Sequence, residues 1–524
     1  MCLDRYIFRA ARIPGLESRP VTTLVSMRYV VVREGFPWVQ TLAWTALAAG
    51  IAGAAGRASQ RLLWNDELFT LYTSQLASVD IFKALATGLD LHPPAGYFVL
   101  KATTLTFGDG LVQARLCSLA GFVLACLAIG RFVGRAAGAL PGTVAMLIPF
   151  VTGAYDYAFE ARPYAPILGL SAVALVCWQA TSGPRRRVAL VALGLTIATL
   201  VSFHYFGTLL VIAIAAGEIA RGRAAQRPGV WMALGAGLLP LVCFLPLLRA
   251  GAAYGGAFWT RPSPGQLLYT YRLFLFPSLL PAAIVLAVWS LLSLRRRDPQ
   301  LARPEDGRAF TRDELALCTA LFVLPLAALA VAYVLGAYHA RYSIAMVLGL
   351  AGLVAGAVAG ARSGRIAVVT SIVLALWVTG RGIVAAVPLL TSAPAPDVLT
   401  FHPLLRSARL PPVLPIVVSD VATFVQLEHY APPAMRSRLR AITAPFDDQA
   451  PEYYEDSSSR ALESLSRWHH VAVVRYDDLV RGREPFLAYG DGSWLPRRLS
   501  RDGARLELIG ATFEKVLILV TPGS

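Results

Sequence analysis

Eleven long apolar runs constrain this chain more than any other feature. A bilayer core about 30 Å thick is crossed by roughly 20 apolar helical residues. Such runs fall near 36–56, 112–134, 137–154, 164–181, 188–203, 205–220, 230–249, 278–294, 315–336, 342–361 and 366–388, some of them short or interrupted. The fifth and sixth are separated only by Phe203-His204-Tyr205-Phe206-Gly207, so a single bent helix would make the count ten. Composition agrees, with 56% hydrophobic and 15% charged residues in 524, against soluble averages of roughly 45 to 50% and 25%. The expected fold is an α-helical polytopic membrane protein of about eleven spans.

The net charge of +16 comes from 48 Lys plus Arg against 32 Asp plus Glu, and its placement decides what it means. A nucleic-acid binder would gather the excess on one exposed domain. Here it follows the loops. With a cytoplasmic N-terminus, the inner side receives Arg5 to Arg33, Arg131 and Arg135, Arg185 to Arg187, Arg221 to Arg227, Arg295 to Arg312, Arg362 and Arg365. That side then carries 22 basic residues, against 11 elsewhere before residue 389, which is the bias expected of cytoplasmic loops. Merging two spans would move the later clusters outside, so parity favours eleven. Residues 1–35 read as a basic cytoplasmic tail without a signal peptide, and Met27 is an alternative start. Lysine occurs only at Lys83, Lys101 and Lys515, which with abundant alanine suggests a GC-rich bacterial genome. The implied location is the bacterial cytoplasmic membrane.

Residues 389–524 change character. Pro394, Pro396, Pro403, Pro411 and Pro412 are followed by short β-branched runs at 415–419, 471–475 and 516–520, which read as strands of a small α/β domain. After eleven spans this domain lies outside the cytoplasm. It is near neutral, with 15 basic and 16 acidic residues. Five of six cysteines sit in apolar runs, with no zinc spacing, and read as small hydrophobes.

The segment 57–110, between the first two runs of the module 36–388, is too long for a simple connection. It holds Trp64-Asn65-Asp66-Glu67-Leu68-Phe69, and periodicity from Leu68 to Leu76 predicts an amphipathic helix on the membrane surface. The carboxylates of Asp66 and Glu67 either complement the helix N-terminus, or act as a general base or divalent-metal ligands. The loop closes on Asp90-Leu91-His92-Pro93-Pro94-Ala95-Gly96-Tyr97, then Lys101. The proline pair fixes an extended approach and permits a helix to start after it. His92 and Lys101 are thereby held near the lipid boundary, either as structural groups or as substrate contacts.

These motifs, in their order, resemble the GT-C superfamily of membrane glycosyltransferases, near the branch of protein O-mannosyltransferases and the lipid A aminoarabinose transferase. The likeness rests on the Asp66-Glu67 pair, the Pro-Pro-x-x-Tyr element, Ala114-Arg115-Leu116, Glu160-Ala161-Arg162-Pro163-Tyr164-Ala165, His204-Tyr205-Phe206-Gly207 and Arg341-Tyr342. The resemblance implies transfer of a sugar from a polyprenyl-phosphate donor to a lipid, glycan or protein acceptor on the outer side, with a possible divalent metal. It makes Asp66 the general base and Glu67 its support or a metal ligand. His92, Lys101, Arg115, Glu160, Arg162, Tyr164, His204, Tyr205 and Arg341 become candidates around the donor, because a phosphodiester at the headgroup level needs cations there. Glu160 can pair with Arg162 and orient it; Asp156 is a further acidic candidate. One departure stands out: the aminoarabinose branch has an acid and then a lysine directly before its proline pair, where this chain has Leu91 and His92.

A transporter or flippase of a lipid-linked or anionic substrate would also carry many helices and membrane-edge charges. It predicts two matching halves with broken helices, and the long first loop has no counterpart later in the chain. A structural assembly protein predicts an uncharged membrane region, contrary to Asp66, Arg162 and Arg341.

Overall fold

The computed structural model describes residues 37–524, apart from 223, 253–259, 295–309, 362–363, 408–410, 412, 444–456, 493 and 524. The expected basic tail and most of the 295–312 cluster lie outside the described residues.

The chain is mostly helical. A first long helix, α1 (Pro37–Ser59), leads into three shorter ones, α2 (Asn65–Gln75), α3 (Ser78–Ala86) and α4 (Ala95–Phe107). The apolar bundle follows with α5 (Leu116–Ala137), α6 (Ala139–Leu147), α7 (Tyr164–Ala180), α8 (Arg186–Phe203) and α9 (Leu209–Ala220). After it come α10 (Pro228–Gly237), α11 (Pro240–Cys243), α12 (Leu245–Ala252), α13 (Pro264–Leu275) and α14 (Leu279–Leu294), then α15 (Arg312–Phe322), α16 (Leu324–Leu335), α17 (Met346–Gly360) and α18 (Gly364–Leu390). Five helical segments are long and apolar enough to cross a membrane, or up to eight if each strongly bent pair is one span; three shorter apolar helices accompany them. The bends have local causes. Proline follows the break at Leu245-Pro246 and at Leu324-Pro325, removing a helical N–H and clashing with the preceding turn. At His204 the backbone turns extended (φ −162°, ψ 132°), separating α8 from α9.

The C-terminal part folds around a six-stranded sheet, with β1 (Ile416–Val418), β2 (Leu439–Thr443), β3 (Val473–Arg475), β4 (Phe486–Gly490), β5 (Arg505–Ala511) and β6 (Val516–Thr521). The order is β3-β2-β1-β4-β6-β5, parallel from β3 to β4 and antiparallel through β6 and β5. β1 and β4 are buried on both faces, as a parallel core covered by helices on both sides requires. The covering helices are α19 (Pro403–Ser407), α20 (Val421–Tyr430), α21 (Pro433–Arg436), α22 (Ser457–Leu465), α23 (Tyr476–Arg481) and α24 (Leu495–Arg501).

One face of this sheet shares a hydrophobic core with the segment 57–110: Leu63, Leu68, Leu71 and Leu89 join Ile416, Phe424, Leu427 and Leu462. Polar contacts follow the seam. The Tyr430 hydroxyl accepts from the Leu63 N–H, the Tyr72 hydroxyl meets His429 Nδ1 at 3.1 Å, and His469 Nε2 donates to the Tyr72 carbonyl. The periodicity predicted α2 correctly, and its apolar side is covered by protein: Glu67, Leu68, Phe69, Thr70, Leu71, Thr73 and Ser74 are all buried.

Candidate active site

The site is assembled on the short helices of the segment 57–110. Glu67, in the first turn of α2, reaches back to the Trp64 N–H (3.2 Å) and so helps start the helix. Successive residues of an α-helix point about 100° apart, so Asp66 and Glu67 face different surroundings. Glu67 turns into the protein, where Arg115 meets it with two parallel bonds, Nε to Oε1 at 2.8 Å and Nη2 to Oε2 at 2.7 Å. The other Arg115 donors go to the carbonyls of Ala58, Arg61 and Leu62. Both side chains are fully buried, and the Ala161 N–H donates to the same carboxylate. The expectations of Glu67 as catalytic support or metal ligand, and of Arg115 as a donor contact, are therefore corrected: each has spent its bonding capacity in joining α1, α2 and α5.

Asp66 faces a cleft. Its Oδ2 accepts from Arg341 Nη2 at 2.9 Å and lies 3.8 Å from Arg162 Nη2. Arg162 Nη1 also donates to the Asp66 carbonyl (3.0 Å), the Thr70 hydroxyl (2.6 Å) and Asp90 Oδ2 (2.8 Å). Two carboxylates and two guanidiniums thus alternate. Arg341 lies 4.9 Å from the centre of the Tyr164 ring and 6.0 Å from that of Trp64, within range of cation–π attraction. Burial alone would push the Asp66 carboxyl up; the guanidiniums of Arg162 and Arg341 outweigh it and hold the group below the ordinary carboxylate range. Asp90 is held further below its ordinary value, with Arg162 and His92 overcoming its burial.

His92 completes the array. Its Nδ1 lies 2.8 Å from Asp90 Oδ1, and its Nε2 lies 3.4 Å from the Tyr164 hydroxyl. Burial first, and the Arg162 charge second, press its pKa below the usual histidine value. The same Nδ1 lies 3.2 Å from Arg162 Nη2, and the lowered pKa disfavours the cationic form expected of a phosphate contact at this position. The His204 ring packs 4.8 Å from that of His92, centre to centre. His204 Nδ1 accepts from the Phe206 N–H and shapes the turn between α8 and α9.

The cleft, partly open to solvent, spans about 600 Å³ and is lined by Asn65, Asp66, Asp90, His92, Arg162 and Arg341, with Ser458 and Ala461 of α22 on another wall. A second, mostly apolar cavity of about 420 Å³ meets it at His92 and Arg162 and runs along Tyr97, Leu100, Pro166 and Phe203. Neither is lined by Lys101 or Tyr205. Lys101 turns away and donates to the Leu76 carbonyl. The expected Glu160–Arg162 pair is absent, since Arg162 bonds to Asp66 and Asp90, and Glu160 Oε1 is buried without a partner. Nor does Asp156 enter the cleft; it faces Arg57 at 3.7 Å. Among the described residues no group of three or more His, Cys, Asp or Glu could hold a metal ion, and Asp66 and Glu67 diverge, so the suggested metal ligands do not fit one centre.

Asp90, Asn65 and Ser458 were missed. Asp90 had a signal: it is the acid the proline-pair motif calls for, set one residue further back. Its Oδ1 accepts from the Leu91 N–H at 2.7 Å, curling the chain so that the carboxylate still reaches the cleft.

No model of a known protein family and no curated protein matches the chain. Among solved structures it is similar to the crystal structure of ArnT from Cupriavidus metallidurans bound to undecaprenyl phosphate, with a TM-score of 0.55 at 14% identity, covering 93% of this chain and 98% of that one. It also matches the archaeal oligosaccharyltransferase AglB from Archaeoglobus fulgidus in complex with an inhibitory peptide and a dolichol-phosphate, with a TM-score of 0.36 at 12% identity over 77% of this chain and 64% of that one. The ArnT likeness, running nearly end to end, shows that the chain shares the fold of that structure.

Proposed function

We propose that this protein is a glycosyltransferase that moves a sugar from a polyprenyl-phosphate donor to a lipid, glycan or protein acceptor at the outer face of the cytoplasmic membrane. The observation that carries this reading is the alternating array of Asp66, Arg341, Arg162 and Asp90 lining a cleft within a GT-C fold. Arg162 Nε and Arg341 Nε are buried without partners, so both guanidiniums retain capacity for a ligand. A phosphodiester offers the acceptor oxygens that geometry suits.

In the proposed step the acceptor oxygen attacks the anomeric carbon and its proton passes to Asp66. The bond from that carbon to the phosphate oxygen breaks, and its electron pair leaves with polyprenyl phosphate. Arg341 and Arg162 meet the charge that develops there, which is where electrostatic stabilisation acts most strongly. Before the donor arrives, the same two guanidiniums keep Asp66 ionised. As they turn to the phosphate their hold on Asp66 weakens, and its basicity rises when a proton must be taken. Asp90 and His92 keep Arg162 oriented. A single displacement of this kind inverts the anomeric centre.

The test is turnover by the purified full chain on a panel of polyprenyl-phosphate sugars with candidate acceptors. Polyprenyl phosphate should be released, and Asp66→Asn should cut release about 10²- to 10⁴-fold while leaving elution and thermal unfolding unchanged. Full activity in Asp66→Asn would remove Asp66 as the base. The location has its own check. A cysteine introduced at Phe513, fully exposed between β5 and β6, should react with a membrane-impermeant thiol reagent added outside the cell, and protection there would reverse the orientation. A transporter instead predicts substrate movement without release of polyprenyl phosphate.

A further inference from the structure

Away from the cleft, the seam between α1 and α18 carries charge that the proposed transfer does not use. Small residues bring the two helices into close contact: a Cβ on Gly53 would meet the Gly382 backbone, and one on Gly56 the carbonyl of Ala385. Beside this contact lies an open groove of about 800 Å³, lined by Gly56, Arg57, Gln60, Arg381, Val384 and Pro388.

Arg381 stands nine residues before the end of α18 at Leu390, about 14 Å along a helix rising 1.5 Å per residue. The side chains around it, Ile383, Val384 and Val387, are apolar and exposed. A guanidinium at such a depth on a lipid-facing surface is costly unless it finds a counter-charge or reaches the interface. The carboxylate within reach is Asp156, and it is shared. Arg57 lies 3.7 Å from it, and the charges of Arg61 and Arg381 act on it as well. Arg57 is further held over the rings of Tyr155 and Phe159, 5.4 Å from each centre. Arg61 also acts on Glu160, so Arg57 and Arg381, the two guanidiniums that line the groove, share Asp156 and leave one positive charge in excess beside an apolar wall.

We infer that this groove binds the phosphate headgroup of an anionic lipid, with Arg57 and Arg381 on the phosphate and the lipid chains along Val384 and Pro388. Charge alone would hold a free phosphate equally well. The apolar wall, and the depth at which Arg381 sits, select an amphiphile. The groove shares no lining residue with the Asp66 cleft, and the inference needs only that these helices lie in a bilayer.

The experiment uses the full chain in phosphatidylcholine nanodiscs doped with photoactivatable phosphatidylglycerol, with the labelled peptides mapped by mass spectrometry. Label should concentrate in residues 380–388, and a photoactivatable phosphatidylcholine should show no such concentration. Two basic contacts at a membrane surface are each worth about 1 kcal/mol, so the Arg57→Gln/Arg381→Gln variant should lose label about tenfold or more. Excess inorganic phosphate should not compete. Even labelling along the lipid-facing helices, or undiminished labelling in the double variant, would overturn the inference and leave Arg381 as a snorkelling side chain. Suppression by inorganic phosphate would overturn the lipid assignment in favour of a phosphate-ion site. Should the double variant fail to fold, the contrast between the two probes on the unaltered chain decides, and Arg381→Lys, which keeps the charge, should hold most of the label.

Discussion

Asp66 and Glu67 are neighbours in the chain, each paired with arginine, and their situations are opposite. The Glu67–Arg115 pair is sealed: all five N–H donors of Arg115 have acceptors, and neither side chain touches solvent. The Asp66–Arg341 pair lines a cleft with Asp66 20% exposed, and a buried N–H on Arg341 has no partner. Both are ion pairs at 2.7 to 2.9 Å, so distance does not distinguish scaffold from site. Unspent bonding capacity does. Removing one member of a fully buried pair leaves an uncompensated charge and costs about 3 to 5 kcal/mol. Glu67→Ala should therefore be lost at the level of folding, seen as a collapsed yield of monodisperse protein. Asp66→Asn should fold normally while turnover falls about 10²- to 10⁴-fold, the span of general-base contributions. A well-folded, inactive Glu67→Ala would break the comparison, as would an unfolded Asp66→Asn.

The two arginines sharpen it at smaller amplitude. Arg341→Gln leaves Asp66 beside Arg162, so the fold should persist. Losing one charged hydrogen bond to the donor, worth about 1.5 to 3 kcal/mol, should lower kcat/KM about 10- to 100-fold, read from initial rates at limiting donor. Arg115→Gln should instead behave like Glu67→Ala. Equal effects of the two substitutions on folding would show that Arg341 is scaffold too.

How much of this was legible in the sequence depends on how local each signal is. Apolar periodicity is local, so each of the eleven runs coincides with helical structure, and the three β-branched runs fall on β1, β3 and β6. Asp66, His92, Arg162, Tyr164 and Arg341 converge on one region although Asp66 and Arg341 are 275 residues apart, because each opens or closes a helix at the same end of the bundle. The fate of Glu67 could not be read, since one step along a helix decides whether a carboxylate meets Arg115 or the cleft. Asp90 was hidden by a one-residue offset that only its own turn compensates. Ser458 reaches the cleft from a helix near the other end of the chain, and nothing near position 458 announces that.

Titration separates the cleft from the scaffold in a further way. Burial and the Arg162 charge hold the pKa of His92 below its ordinary value in the folded protein. Below the usual histidine value of about 6.5, the unfolded chain takes up a proton that folded His92 refuses. Its contribution to stability is thus fully present above that pH and is lost as pH falls through the window toward the folded value. The slope for one such group is at most about 1.4 kcal/mol per pH unit. His92→Gln, which keeps an amide donor for Asp90, should flatten the acid limb of thermal stability in detergent by up to one proton. An unchanged limb would mean that His92 is already charged, or exposed, in the folded state.

The smallest expected effect concerns Lys101, which sequence order placed among the donor contacts. A lysine working on phosphate must point its Nζ at the cleft, and here that atom donates to the carbonyl of Leu76 at the end of α2. Lys101→Met frees one carbonyl near solvent and removes no charge from the cleft. Stability should change by no more than about 0.5 kcal/mol, as for substitutions away from buried networks, and donor KM should stay close to that of the unaltered chain. Arg162 is the internal control: its side chain is 4% exposed, bonded to the Asp90 carboxylate and the Asp66 carbonyl, and 3.8 Å from the Asp66 carboxylate. If Lys101→Met raised donor KM as much as Arg341→Gln does, the lysine would have to swing from Leu76 to the phosphate on donor binding. The rule that spent donors mark scaffold would then fail at its weakest bond, a single contact to a backbone carbonyl, while standing at the five-fold contact of Arg115.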